Sequence, residues 1–216
     1  MPRQLRAEQT RATIIAAAAD LFDRCGYEAT SLSDIVEHAR VTKGALYFHF
    51  AAKEDLAHAI MELQSQASRR LTGEVDGRGY TSLEGLIRIT FALTRLSVEG
   101  PVARAGLRLA TGPMPVRAPL RHPFTEWLEI ISHRLLGAVR ESDLHPDTDV
   151  EAVAHSLVSF FVGTRVVGRS LEPVARLPRR TAEMWHMMIR GLVPVPRRPR
   201  YLTLASRLER ELTATV

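Results

Sequence analysis

Apolar residues recur three or four positions apart through almost the whole chain, and no segment alternates apolar and polar residues with a period of two. That spacing builds amphipathic helices rather than strands. A first helix is expected from about Leu5 to Arg24, with Ile14, Ile15, Ala18, Leu21 and Phe22 on one face. Cys25-Gly26-Tyr27 ends it, and Gly26 suits a left-handed cap. A long helix is expected over Lys53 to Asp76, punctuated by Gly73, Gly77 and Gly79. Helical spacing returns around Leu83–Phe91, Phe124–Val139, Val150–Phe161 and Ala182–Leu192, with a shorter helix over Val102–Leu109. The Pro-rich run 113–119 and the segment 171–178 read as loops. Leu204, Leu208 and Leu212 mark a tail helix after Pro194-Val195-Pro196. The fold class is therefore all-α. Short helices precede residue 52 and long ones follow it, which divides the chain into domains 1–52 and 53–216.

Composition narrows the function classes. The chain has 216 residues, 45% of them hydrophobic, enough for a sizeable core. No apolar run suggests a membrane span of roughly 18 residues. The N-terminus carries charges with no apolar stretch behind them, so a cytoplasmic location is expected. The single cysteine, Cys25, leaves no partner for a disulfide and reads as a small buried residue. His122, His133, His145, His155 and His186 are scattered, with neither a metal-ligand spacing nor a nucleophile elbow beside them. No cofactor, metal site or enzyme activity is expected.

Thr30 to Leu56 carries the chemistry. Thr30-Ser31 and Thr42 each offer an N-cap to a short helix, and Asp34 stands three residues after Ser31 as an imperfect capping box. Two short helices around a tight turn make a helix-turn-helix. Its second helix must enter a major groove about 12 Å wide and so needs small or polar residues at its leading end. Thr42, Lys43, Gly44 and Ala45 meet that need. Lys43 can donate to guanine or phosphate, while Tyr47 and His49 can hold phosphate oxygens. Leu46 and Phe50 are expected to face inward. Arg3 and Arg6, before and on the first helix, can reach an adjacent groove or backbone. Residues 1–50 hold six basic and six acidic residues, so affinity for double-stranded DNA must come from placement rather than bulk charge. A second basic cluster, Arg176, Arg179, Arg180, Arg197, Arg198 and Arg200, reads as solvent or interface surface.

Thr30-Ser31-Leu32-Ser33-Asp34-Ile35-Val36, Val41 to Phe50 and Lys53-Glu54-Asp55-Leu56 resemble the signature of the TetR family of transcriptional regulators. One departure is Arg40, where most members carry Gly at the turn between the helices. Further along, Gly77 to Tyr80, Ala105 to Ala110, His122 to Trp127 and Gly163 to Val167 resemble the γ-butyrolactone receptors of filamentous actinobacteria. The resemblance implies a three-helix DNA-binding domain and a larger helical domain that binds ligand and dimerises. It further implies a repressor that a small lactone releases from its operator, and a pocket lined by Trp127.

Pockets for such ligands are apolar with a few placed polar groups. Trp127, Trp185, Phe91, Ile131, Val158, Phe161, Met184 and Met188 are the expected lining. Gln64, Thr111 or a Trp indole is the expected polar anchor. Taken singly, each of these positions is more simply explained by plain core packing, except Trp127, which the family resemblance supports separately. A homodimer on a palindromic operator is expected, its surface drawn from residues 150–170 and 180–193, with Phe160, Val167, Trp185, Ile189 and Leu192 as candidates. Two alternatives stand beside the lactone reading. One is a regulator of the same fold that senses an antibiotic or other hydrophobic metabolite. The other is a helical enzyme or scaffold.

Overall fold

The computed structural model describes residues 2–112 and 123–214, and of residues 2, 3, 123, 169 and 170 the backbone alone. The expected loop over 113–119 and the side chain of Arg3 lie outside the described part. Ten α-helices and two short 3₁₀ turns make up the described residues, with no strand among them. They form two compact units: residues 2–67 with 100–112, and residues 68–99 with 123–214. The units do not part at residue 52. The first half of the long fourth helix and a helix some fifty residues later both join the N-terminal core.

The first unit holds α1 (Pro2–Arg24), α2 (Leu32–Ala39), α3 (Lys43–His49), the first part of α4 (Lys53–Asp76) and α6 (Pro101–Thr111). Its core joins Ile14, Ala18 and Phe22 of α1 to Ile35, Leu46, Leu56, Ile60, Ala105 and Leu109. α1 and α6 lie against each other. Gly26 ends α1 at φ 92°, and a Cβ there would meet the Arg108 guanidinium at 2.7 Å. Cys25, expected inside, is exposed because it sits on the turn that closes α1. The capping box of α2 is complete: Asp34 N–H donates to Ser31 Oγ at 3.1 Å and Ser31 N–H to Asp34 Oδ2 at 2.8 Å. The Ser31 backbone N–H, and after it the Ser31 hydroxyl, hold the Asp34 carboxyl below the usual range.

Arg40 closes α2 at φ 53° and ψ 42°. That left-handed conformation costs a residue with a Cβ about 1 kcal/mol. Arg40→Gly should therefore stabilise the protein by about 1 kcal/mol, a gain that chemical denaturation reads directly. Lys53 fastens the opposite end of the motif. Its ammonium donates to Tyr27 O at 2.8 Å and Thr30 O at 2.9 Å, and lies 4.3 Å from the centre of the Tyr27 ring.

The second unit is a helical bundle of the end of α4, α5 (Ser82–Glu99), α7 (Pro123–Arg140), α8 (Val150–Leu171), α9 (Leu177–Leu192) and α10 (Arg198–Thr213). α5 packs against α7, α9 and α10, and α8 lies against α7 and α9. Leu86, Ile87, Leu135, Leu157, Trp185, Ile189 and Tyr201 are among its most buried side chains. The segment 171–178, expected as a loop, contains a 3₁₀ turn at Val174–Arg176, and α9 begins at Leu177. Pro178 fits that first turn, where its missing N–H leaves no bond unmade. In α8, Val150–Gly168 spans 19 residues at mean hydropathy 1.4, by length and composition alone enough to cross a membrane. Its inner side supplies Ala154, Leu157 and Phe161 to the bundle core.

Most of the second basic cluster is paired. Arg179 binds Glu183, Arg180 binds Glu172 and Glu183, Arg197 binds Asp143, and Arg200 binds Glu84. Arg198 donates to Val193 O at 2.8 Å. This pairing fits a surface held together by ion pairs better than a free cationic face.

Candidate functional site

In the first unit the two faces of α3 differ sharply. Leu46 is fully buried and Phe50 is 4% exposed, in the core with Phe22 and Ile35. Thr42, Lys43, Gly44 and Tyr47 are exposed, and Ala45 and His49 half-buried. Thr42 is the N-cap: its Oγ1 accepts from Ala45 N–H at 3.1 Å, which leaves its own proton free to donate outward. Gly44 has little around it, since a Cβ there would meet only Thr42 Oγ1 at 4.0 Å. The backbone can thus come close to a partner. Arg6 is exposed on α1, and Arg11 lies 5.2 Å over the Phe50 ring. Phe48 was missed by sequence reasoning. It is 79% exposed, next to Tyr47 on the outward face, and stacks edge-on with His49 at 5.0 Å. The signal was available: Gly44, Tyr47 and Phe48 stand at i, i+3 and i+4, one side of a helix.

The second unit contains a small apolar cavity, part of it open to solvent. Ser68 and Thr72 of α4, Leu86, Ile89, Thr90 and Leu93 of α5, Trp127, Ile130 and Ile131 of α7, and Leu157, Val158 and Phe161 of α8 line it. Trp127 is half-buried. It stacks edge-on with Phe161 at 6.0 Å and tilts against Phe124 at 5.6 Å. Behind Phe161 lies an unusual cation. Arg165 is 8% exposed, its guanidinium carbon 3.4 Å from the centre of the Phe161 ring. It donates to Ser97 Oγ, Phe161 O and Thr94 Oγ1 at 3.0 to 3.2 Å. Burial pushes its pKa down to about 9, which still leaves it charged at neutral pH.

Against this geometry, known proteins are informative. Residues 14–60 match the bacterial regulatory proteins of the tetR family, and residues 80–194 match the tetracyclin repressor-like C-terminal domain. The chain belongs to the TetR family. It is a DNA-binding transcriptional regulator, not an enzyme. The A-factor receptor protein of Streptomyces griseus is 36% identical over 190 residues, an alignment spanning 88% of this chain and 66% of the receptor's length. A γ-butyrolactone receptor described as ArpA-like is 68% identical, with TM-score 0.88 over 95% of this chain and 99% of that one. CprB of Streptomyces coelicolor, solved with its operator sequence, is 69% identical, with TM-score 0.89 over 94% of this chain and 98% of that one.

Within this TetR-family chain the expected pocket residues separate. Trp127, Ile131, Val158 and Phe161 line the cavity together. Trp185 does not: it is 2% exposed, and its indole N–H donates to Thr90 Oγ1 at 2.6 Å. Phe91 and Met184 are buried core residues, and Met188 packs half-buried against that core. Gln64 and Thr111 belong to the first unit. Gln64 packs against Gly106, where a Cβ would fall 2.1 Å from its Oε1, and that oxygen is buried without a partner. Thr111 donates to Leu107 O at 3.0 Å. Period alone could not sort these residues, because a stripe facing the core and a stripe facing a cavity have the same spacing.

Proposed function

We propose that this regulator is a repressor that binds a palindromic operator as a homodimer and leaves it when a γ-butyrolactone-like ligand fills the cavity beside Trp127. The observation that carries the reading is that apolar, Trp127-walled cavity in a chain so close in sequence to receptors described as binding γ-butyrolactones. In this reading the first unit reads DNA. Thr42, Lys43, Gly44 and Ala45 meet the major groove, with Tyr47, His49 and Arg6 on the backbone. Phe48 adds an apolar contact of the kind that suits a thymine methyl.

Two copies would pair through α8 and α9, which expose Phe160, Val166, Val167 and Met187. Trp185 and Ile189 drop out of that surface, since both are buried within their own chain. Dimerisation sets the distance between the two recognition helices. Ligand binding then favours a dimer whose helices no longer match successive grooves, a shift limited by the ligand's differential affinity for the two states. A protein working this way is cytoplasmic.

Fluorescence anisotropy on a palindromic operator duplex tests the reading, with and without an alkyl γ-butyrolactone, at several salt concentrations. Tight, salt-dependent binding that collapses on adding the lactone is expected. Binding that ignores every lactone but responds to an apolar antibiotic would transfer the ligand assignment to that class. Lys43→Ala should lower operator affinity about tenfold and reduce discrimination against a scrambled duplex. Unchanged discrimination would remove Lys43 from the base-reading set.

A further inference from the structure

Three of the residues that line the cavity carry a hydroxyl, and two of those hydroxyls already donate within the protein. Thr72 Oγ1 donates to Ser68 O at 3.0 Å. Thr90 Oγ1 donates to Ile87 O at 2.7 Å and accepts the Trp185 indole N–H at 2.6 Å. Ser68 differs. It is 6% exposed, and its Oγ is buried without any hydrogen-bond partner.

The omission is unusual for its setting. Buried hydroxyls in helices ordinarily bond back to the carbonyl three or four residues earlier. Thr94 and Ser97 in the same unit do so, to Thr90 O and Leu93 O. A buried polar group left without a partner destabilises the empty state, and a ligand that supplies the partner recovers that penalty on binding. Almost everything else around the cavity is carbon.

We infer that Ser68 is the polar anchor of the cavity: its hydroxyl donates to the carbonyl oxygen of an otherwise apolar ligand. The inference rests on the reading of the cavity as the ligand site and adds to it a named donor and a required acceptor. Among the three hydroxyls, only Ser68 has an uncommitted proton. An acceptor is therefore what the site selects for. A ligand polar group able only to donate would find a lone pair there but leave the Ser68 proton unmatched.

The test uses the full-length dimer and two probes. One is a γ-butyrolactone with a hexyl chain at the ring carbon next to the ring oxygen. The other is the cyclic ether of the same skeleton and chain, which lacks the carbonyl. Affinities are read by titration calorimetry on the wild type, Ser68→Ala and Ser68→Thr. Ser68→Ala removes an unpaired hydroxyl, so its melting temperature should equal or exceed that of the wild type. Its lactone affinity should fall about tenfold, its ether affinity should stay the same, and Ser68→Thr should retain most of the lactone affinity. If Ser68→Ala weakens both probes equally, the residue only packs and the anchor is wrong. If it binds both probes as the wild type does, the anchor is equally wrong while the cavity keeps its assignment. If the wild type binds operator but neither probe, the lactone reading fails and the anchor falls with it.

Discussion

Trp127→Ala should keep operator binding and abolish release by an alkyl γ-butyrolactone at concentrations that empty the wild-type complex. Trp127 is half-buried and forms one wall of the cavity, with Phe161 and Phe124 on its flanks. A Trp side chain offers about 150–250 Å² in all, of which roughly 100 Å² would face a ligand. At about 25 cal/mol per Å² that wall contributes about 2.5 kcal/mol, or roughly 50- to 100-fold in affinity. Trp127→Phe should recover part of the loss because the ring face remains. Two readouts separate the effects. Anisotropy without lactone should be unchanged, since α3 belongs to the other compact unit. The lactone concentration for half-release should rise by the factor above. An unchanged release curve would remove Trp127 from the ligand site.

Much of the fold was legible because helix ends carry local signals. Ser31 and Thr42 cap α2 and α3, and the long α4 begins and ends at Lys53 and Asp76 as its periodicity indicates. The inward turn of Leu46 and Phe50 follows from spacing alone. What failed was non-local. α6 joins the first core because Ala105 and Leu109 meet α1 and α4 residues, a partnership between segments far apart in sequence. A boundary drawn from helix length at residue 52 could not anticipate it. Trp127 and Trp185 sit on similar apolar stripes, yet one walls a cavity and the other is 2% exposed with its indole committed to Thr90. Only the packing partner distinguishes them. Ser68 escaped for the opposite reason: a serine in a helix full of polar residues reads as part of a solvated face, and the cavity it lines is completed by residues of α5, α7 and α8.

The largest stability effect should come from a position with no part in DNA or ligand binding. Asp143, in the turn after α7, is 1% exposed and holds Arg197 Nη1 at 2.5 Å. The same nitrogen donates to Glu141 O at 2.9 Å, so one guanidinium ties the 3₁₀ turn before α10 to the end of α7. Arg197 is 47% exposed on its outer side, which limits how much the pair contributes while it is intact. Removing the cation is a different matter. Arg197→Ala takes the paired cation from a buried carboxylate, which keeps only the Tyr201 hydroxyl and the more distant Arg200 charge, and breaking such a pair costs about 3 kcal/mol. For a chain of this size that corresponds to a fall of about 6–12 °C in melting temperature. Asp143→Ala in the Arg197→Ala background removes the stranded charge and should restore about half of the loss, so the two changes will be strongly non-additive. Additive losses would show that Arg197 acts through its bond to the Glu141 carbonyl, and that Asp143 is accommodated without it.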